Sequence, residues 1–221
     1  MPRPIAATIH MGALRHNLQR MREAANGRTL WAVVKANAYG HGLLRAARAF
    51  EAADGLAMID LCDAQKVREQ GWKKRILLLE GFFDATDIPL LEKYDIETIV
   101  HNRHMIELLK AQAPYASLKV HIKINSGMNR LGFLPQEEEE IRAQLQTIEG
   151  VQVMGVVTHF ANAEPTYGHE RPATVSIQLN RMDKIQPMPK NLCMANSAAT
   201  LWQSDVTVSY THLTLPTNSL V

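Results

Sequence analysis

Apolar residues occur in short, nearly continuous runs along the chain, and longer amphipathic stretches separate these runs. Runs that are apolar at consecutive positions are typical of strands covered on both faces, whereas apolar positions that recur every three or four residues are typical of helices. The pattern predicts strands at residues 30–35, 55–60, 75–79, 96–100, 118–124, 151–159 and 191–195. It predicts helices at residues 11–25, 43–53, 64–70, 87–93, 103–113, 136–148 and 175–182.

The alternation of strand and helix predicts an α/β fold, in which helices cover a parallel sheet. The predicted strands within residues 1–206 suit a (β/α)8 TIM-type barrel that is incomplete, with about seven strands present. A doubly wound open sheet is the alternative, but no phosphate-binding glycine fingerprint follows the first strand. Residues 5–10 also alternate, which predicts a short additional strand ahead of the first helix.

Composition and charge restrict the class of function. Hydrophobic residues make up 46% of the 221 positions and charged residues 21%, which is ordinary for a globular protein. The formal net charge is only +2, and basic residues are interspersed with acidic ones, so no nucleic-acid or membrane partner is predicted. The sequence contains neither a signal peptide nor an apolar run of about 18 residues, so a cytoplasmic protein is predicted.

The cysteines and histidines show no spacing that predicts a metal site. Cys62 and Cys193 are far apart in the sequence, so two buried free thiols are expected rather than a disulfide. His101 and His104 are three residues apart, but no third ligand accompanies them.

Lys35 carries the clearest chemical signal in the sequence. It ends the first predicted strand, and small and turn-forming residues follow it, including Gly40 and Gly42. A lysine at the end of a buried strand is desolvated, which lowers its pKa and exposes a nucleophilic amine that can bond a carbonyl cofactor. Tyr39 is predicted to start the next helix with its hydroxyl facing the strand end. The competing interpretation is a structural lysine whose stem lies on the core while its amine reaches water.

Residues 33–42, Val-Val-Lys-Ala-Asn-Ala-Tyr-Gly-His-Gly, resemble the pyridoxal-phosphate signature of bacterial alanine racemases. The resemblance continues through residues 122–132, 158–160 and 195–199 and covers roughly residues 4–202. It implies pyridoxal 5'-phosphate as cofactor and interconversion of L-alanine and D-alanine, either to supply D-alanine for the cell wall or for alanine catabolism. It also implies a homodimer of subunits that each combine a barrel with an all-β domain.

The resemblance assigns roles to three residues directly at the cofactor. It implies that Lys35 holds the cofactor covalently and acts as the catalytic base for the D-enantiomer. It implies that Tyr39 bonds the cofactor phosphate. Arg130 is matched to an arginine that binds the cofactor phenolate and the substrate carboxylate, and a guanidinium suits both because it is always charged and forks toward anionic oxygens.

Four further residues belong to the same predicted site. Lys123 is matched to a lysine that many alanine racemases carbamylate, which gives an anion able to hold the arginine; an unmodified lysine is the alternative. His159 is predicted to flank the cofactor ring. Asn196 and Ser197 are predicted to supply phosphate-binding groups at a helix start. The predicted site residues end or follow predicted strands, and barrels build their active sites at the C-terminal ends of strands.

The resemblance fades beyond Trp202. Residues 207–217 look like a translated sequencing adapter, so residues 207–221 are predicted to be a non-native tail and residues 1–206 an incomplete barrel domain. The chain is therefore expected to be truncated, without the eighth strand and its arginine and without the all-β domain and its second catalytic base. Residues 1–10 are expected to pair with that missing domain, and turnover by this chain is not expected.

Two other functions are consistent with the same residues. One is a barrel-type racemase for another small amino acid, such as serine. The other is a single-domain pyridoxal-phosphate-binding homeostasis protein, which is not an enzyme and consists of a barrel alone. The length suits the second alternative, whereas the extended sequence around Lys35 favours alanine racemase.

Overall fold

Eight parallel strands form one closed barrel in chain order, and helices cover its outside. The structure is a computed structural model that describes residues 6–164, 173–189 and 191–203, together with the backbone of residues 210–214. The strands are β1 Thr29–Val33, β2 Gly55–Met58, β3 Arg75–Leu78, β4 Glu97–Val100, β5 Leu118–Lys123, β6 Val151–Val157, β7 Leu192–Ala195 and β8 Tyr210–Thr214. The predicted α/β barrel is confirmed, and β1 to β7 lie where the hydrophobic pattern places them.

The helical segments alternate with the strands, as predicted. They are α1 Met11–Ala25, α2 Lys35–Tyr39, α3 Leu43–Ala49, α4 Leu61–Glu69, α5 Ile88–Lys93, α6 Arg103–Gln112, α7 Glu138–Gln146, α8 Ala173–Met182 and α9 Ser197–Trp202, with a 3-10 turn at Pro135–Glu137. β1, β2, β3, β5 and β6 end one or two residues earlier than predicted, whereas β4 and β7 end at the predicted residue. Lys35 and His159 therefore lie just beyond β1 and β6, at the rim of the barrel.

The eighth strand lies within residues 207–221, the segment that was predicted to be a non-native tail. β8 pairs with β1 from Thr29 opposite Tyr210 to Val33 opposite Thr214, and it also pairs with β7. The closed barrel therefore differs from the incomplete barrel of about seven strands that the sequence predicts. Strand pairing uses backbone N–H and C=O groups, so a β-prone segment can supply it without the side chains of any particular family. The rest of the expected tail, residues 207–209 and 215–221, lies outside the described residues.

Residues 6–10 form no strand in the structure, although residues 5–10 show a strand pattern. His10, at the end of this segment, has extended backbone angles and precedes α1. A strand needs a neighbouring strand to pair its backbone groups, and among the described residues no strand pairs with this segment. Its pairing with a further domain stays a prediction, and residues 1–5 lie outside the described part of the chain.

The strands are apolar on both faces because they lie between two separate layers of core. Side chains that point outward pack against the helices in the larger cluster. Those that point inward fill the barrel, and they are Trp31, Val33, Ala57, Leu77, Ile99, Val157 and Cys193. Gly55 makes room for the largest of them, because a Cβ at that position would lie 2.2 Å from the Trp31 ring. This packed interior leaves space only at the C-terminal ends of the strands.

Candidate functional site

A cavity of about 180 Å³ opens at the C-terminal end of the barrel. Its walls come from the ends of β1, β2, β3, β5 and β6 and from the loop that follows β5. The residues that line it are Val33, Lys35, Tyr39, Ile59, Leu79, Glu80, Lys123, Arg130, Leu131 and His159. Five of the predicted site residues, far apart in sequence, therefore meet around one space.

Lys35 leaves β1 through a left-handed turn. The backbone φ angles of Ala36, Asn37, Ala38 and Tyr39 lie between 51° and 54°. Consecutive L-residues rarely adopt this conformation, which costs roughly 1–2 kcal/mol per residue. Strain of this kind tends to persist at functional sites, where the surrounding structure holds it. Here the turn brings both the Lys35 amine and the Tyr39 ring to the cavity.

Hydrogen bonds within the turn compensate part of this strain. The Ala38 N–H donates to the Val34 carbonyl at 2.9 Å, and the side-chain oxygen of Asn37 accepts from the Leu43 N–H at 2.8 Å. The second bond satisfies a free N–H at the start of α3. The next right-handed helix thus begins at Leu43 rather than at Tyr39, where the sequence pattern predicted it.

Three cationic side chains and one carboxylate line the cavity: Lys35, Lys123 and Arg130 against Glu80. Lys123 is only 8% exposed, whereas Arg130 is exposed at the rim and Lys35 is half-buried. Among the residues that the structure describes, the side chains of Lys123 and Arg130 form no hydrogen bond or salt bridge. The cavity therefore presents positive charge that has not been neutralised, and it suits an anionic ligand.

Burial changes the protonation chemistry of this cavity. Desolvation lowers the pKa of Lys123 to about 8; the neighbouring Cys193 opposes that shift and Arg130 adds to it. Desolvation, followed by repulsion from Lys123, Arg130 and Lys35, lowers the pKa of His159 to about 3. His159 is accordingly neutral near pH 7, so its ring can pack against a ligand without adding charge. Burial raises the pKa of Tyr39, whose hydroxyl stays protonated and can donate a hydrogen bond.

The loop that carries Arg130 is organised by Asn125. The side-chain oxygen of Asn125 accepts hydrogen bonds from the N–H groups of Gly127 at 3.1 Å and Asn129 at 3.0 Å. The loop closes where the Phe133 N–H donates to the Lys123 carbonyl at 2.9 Å and the Asn125 N–H donates to the Phe133 carbonyl at 2.8 Å. Arg130 thus stands on a loop whose two ends are bonded to each other.

Comparison with known proteins identifies the family to which this arrangement belongs. A sequence model of the family described as "Alanine racemase, N-terminal domain" matches residues 9–213. The chain belongs to the alanine racemase N-terminal domain family. The resemblance read from the motifs is thereby confirmed.

Individual relatives agree with this family. The alanine racemase of Delftia acidovorans is 46% identical over 206 residues, which are 93% of this chain and 55% of the relative. The catabolic alanine racemase of Klebsiella aerogenes is 45% identical, and the match covers 93% of this chain and 56% of that one. The crystal structure of the biosynthetic alanine racemase from Pseudomonas aeruginosa superposes with a TM-score of 0.85 at 32% identity, covering 92% of this chain and 56% of that one. The chain thus spans about half the length of the relatives that it matches.

Two of the predicted site residues do not line the cavity. Asn196 lies after β7, and its side-chain oxygen accepts a hydrogen bond from the Ala199 N–H at 2.9 Å, which caps α9. Ser197 is the first residue of that helix. Neither is among the residues around the cavity. Their phosphate-binding role in this family member stays a prediction.

Five lining residues were given no role by sequence reasoning: Val33, Ile59, Leu79, Glu80 and Leu131. Val33 ends β1, and Ile59, Leu79 and Glu80 lie within two residues of the ends of β2 and β3, at the same C-terminal rim as Lys35. The rule that identified Lys35 could therefore have found these four, but Ile59, Leu79 and Glu80 carry no recognisable motif.

Other sequence expectations can be checked on the described residues. Cys193 is buried in the barrel, but Cys62 is exposed on α4, because that segment is a helix whose outer face meets solvent; neither cysteine forms a disulfide. Within the described ranges, no group of three or more histidine, cysteine, aspartate or glutamate residues is arranged to hold a metal ion. No helix in the same ranges is long and apolar enough to span a membrane.

Proposed function

We propose that this chain is the cofactor-binding barrel of an alanine racemase, which interconverts L-alanine and D-alanine with pyridoxal 5'-phosphate. The observation that carries the proposal is the convergence of Lys35, Tyr39, Arg130 and His159 on one cationic cavity. Membership of the alanine racemase family supports it. Named relatives include catabolic and biosynthetic enzymes, so either physiological role fits.

The residues around the cavity suit the chemistry of pyridoxal phosphate. The cofactor has an aldehyde that reacts with a primary amine, and an anionic phosphate and phenolate that need cationic or hydrogen-bonding partners. Lys35 would supply the amine, Tyr39 a hydroxyl for the phosphate, and Arg130 a guanidinium for the phenolate or the substrate carboxylate. When bound, the cofactor supplies an electron-withdrawing ring that stabilises negative charge on the α-carbon of alanine.

The protein's own part in the reaction would be to position the substrate and to move a proton. The Lys35 amine would remove the α-proton of D-alanine and return a proton when the reaction runs in reverse. Neutral His159 would pack against the cofactor ring. Asn196 and Ser197 would add donors for the phosphate. We assign the opposite-face base to the second, all-β domain of a longer parent that acts as a homodimer.

Lys123 would contribute as a carbamate. Carbon dioxide adds to a neutral amine, and a pKa of about 8 leaves a usable neutral fraction near pH 7. The ammonium first loses one proton to solvent. Addition then forms a nitrogen–carbon bond, converts one carbon–oxygen double bond of carbon dioxide to a single bond and releases a second proton, so a buried cation becomes an anion. That anion would lie beside Arg130 and hold its guanidinium, which removes the repulsion between the two side chains.

The domain assignment follows the same proposal. Residues 1–206 would be the native barrel domain, residues 1–10 would pair with the all-β domain, and residues 207–221 would be a non-native tail. The protein would act in the cytoplasm, where an exposed thiol such as Cys62 stays reduced.

Labelling at Lys35 tests the assignment. Purified protein is incubated with pyridoxal phosphate, reduced with borohydride, digested and mapped by mass spectrometry. We expect the pyridoxyl mass on Lys35 and its loss in Lys35→Ala, whereas Lys66→Ala, which removes an exposed lysine on α4, should be labelled as wild type is. A label that stays on another lysine in Lys35→Ala would refute the site.

Turnover separates this proposal from the single-domain alternative. The closed barrel favours cofactor binding by this chain alone, and that is also what a homeostasis protein requires. Chiral chromatography after incubation with L-alanine should detect D-alanine with a longer parent that restores the second domain. We expect none from the 221-residue chain, because loss of one acid–base group costs about 10²–10⁴-fold. A Lys35 label without D-alanine from either protein would favour the homeostasis alternative.

A further inference from the structure

Gln178 is a buried polar residue of α8 that lies outside the cavity. Its side chain is 2% exposed, and it is not among the residues that line the site. Its Nε2 donates to the Ser126 hydroxyl at 2.8 Å and to the His159 carbonyl at 2.9 Å. Its Oε1 accepts from the Ala161 N–H at 2.9 Å. Both amide protons and the amide oxygen are therefore in use.

The three bonds determine the orientation of the Gln178 amide. The Ala161 N–H can only donate and the His159 carbonyl can only accept. A flipped amide would place nitrogen against the first group and oxygen against the second, so neither bond could form. Gln178 is consequently held as a donor toward both Ser126 and His159.

A directed chain of hydrogen bonds starts at this amide. The Thr158 hydroxyl donates to the Ile124 carbonyl at 2.8 Å, so its oxygen must accept from the Ser126 hydroxyl, 2.7 Å away. Ser126 in turn accepts from Gln178. The chain therefore runs in one direction, from Gln178 through Ser126 and Thr158 to the carbonyl of Ile124. A buried chain in which every member is satisfied favours one geometry over its alternatives.

These hydrogen bonds connect the two segments that carry site residues. Ser126 begins the loop that presents Arg130, and Thr158 precedes His159, whose carbonyl Gln178 also holds. The same loop lies directly on α8: Arg181 donates to the Ser126 carbonyl at 3.2 Å. A Cβ at Gly127, whose φ is +140°, would lie 2.4 Å from the Arg181 guanidinium. Helix α8 thus acts as a platform for both segments.

We propose that Gln178 is a positioning residue, which sets Arg130 and His159 relative to the ligand held by Lys35. The identity of the ligand in this inference rests on the proposed function. The claim that Gln178 holds the two segments rests only on the described contacts. Gln178 touches none of the reacting groups; it acts through the loop of Ser126 and through the backbone of His159. Residues that support a site in this way keep its functional groups close to the geometry that the chemistry requires.

Gln178→Met tests the proposal, because methionine keeps the length and removes the amide. The matched control is Gln152→Met, which removes an exposed amide that donates to Ser117 at 3.2 Å at the start of β6. Hydrogen exchange without cofactor forms the first arm. We expect Gln178→Met to speed exchange about 10-fold in residues 125–132 and 159–161, with β1 to β4 unchanged. The control should change neither segment. Unchanged exchange in both segments would overturn the proposal, whether or not the protein binds a cofactor.

Pyridoxal phosphate affinity forms the second arm, measured by the protein's change in absorbance on titration. We expect Gln178→Met to weaken binding about 10-fold in the wild-type background and to weaken it less in Arg130→Ala, where only the contribution through His159 remains. Such non-additivity indicates action through Arg130. General destabilisation would instead weaken binding equally in both backgrounds and would speed exchange everywhere, and either result would overturn positioning. If Gln178→Met does not fold, Ser126→Ala replaces it, with faster exchange expected in the same segments.

If wild-type protein does not bind pyridoxal phosphate, the proposed function is refuted. The claim that Gln178 holds the two segments is decided separately, by hydrogen exchange. Faster exchange confined to the two segments would then still identify Gln178 as the residue that holds them.

Discussion

The two ends of the barrel interior differ in how their charged side chains are paired. Toward one end, Arg75 and Glu97, the first residues of β3 and β4, meet His121 of β5 through charge-paired hydrogen bonds. Where the strands end, Lys35, Lys123 and Arg130 surround a cavity with one carboxylate among them. The two regions lie in the same barrel, so the difference reflects the residues placed there rather than the fold. Matched charge indicates a structural role, and unmatched buried charge indicates a functional one.

The matched cluster centres on Glu97. Arg75 donates to its two oxygens at 2.5 and 2.7 Å, and the His121 ring lies 2.7 Å from one of them. The Arg75 guanidinium also lies 4.7 Å from the centre of the Trp31 ring. Burial raises the pKa of Glu97, but hydrogen bonds from Arg75 and His121 outweigh it and lower the pKa to about 2. The carboxylate is accordingly charged at every physiological pH.

The largest effect is expected at Glu97. Glu97→Ala removes the carboxylate that Arg75 and His121 share, so the free energy of unfolding should fall by about 3 kcal/mol, as measured by urea denaturation. The control Glu107→Ala removes an exposed partner of Lys110 and should change stability little. A loss at Glu97 no greater than in this control would show that the cluster does not stabilise the barrel.

A smaller effect of opposite sign is expected at the cavity. Lys123→Met removes a buried cation, so the free energy of unfolding at pH 7 should rise by about 1 to 2 kcal/mol in bicarbonate-free buffer. Lys119→Met is the control on the same strand, where the ammonium pairs with Asp95 at 2.7 Å, and it should bring no gain. If Lys123→Met destabilises the protein as Glu97→Ala does, the contrast between the two ends is lost.

The smallest effect is the pH dependence of that gain. The pKa of Lys123 is about 8 in the folded protein against an ordinary value of 10.5, so between these values the unfolded chain binds more protons. Stability of the wild type should therefore rise with pH relative to Lys123→Met, and most of the variant's advantage should disappear by pH 10. Urea titrations at several pH values check this. A constant or growing advantage would contradict the lowered pKa.

Much of the architecture could be predicted from the sequence because its signals are local. Runs of consecutive apolar residues located β1 to β7, since strands buried between two layers need apolar side chains on both faces. Lys35 and His159 could be placed at the rim because each follows such a run, and parallel strands bring their C-terminal ends to one side.

The details of the site depend on contacts between residues that are distant in sequence, and only the tertiary structure decided them. Ser126 and Gln178 meet because the barrel brings the loop after β5 against α8, and no motif marks that pair. Asn196 caps its own helix instead of lining the cavity, although it lies at a strand end. Closure by β8 depends on backbone pairing with β1 and β7, which β-prone residues permit but do not specify. The sequence by itself determined β1 to β7 and the residue types that carry chemistry, because hydrophobic burial and residue type act locally. Closure by β8 and the geometry of the site were decided only by the tertiary structure, because both depend on contacts between distant segments.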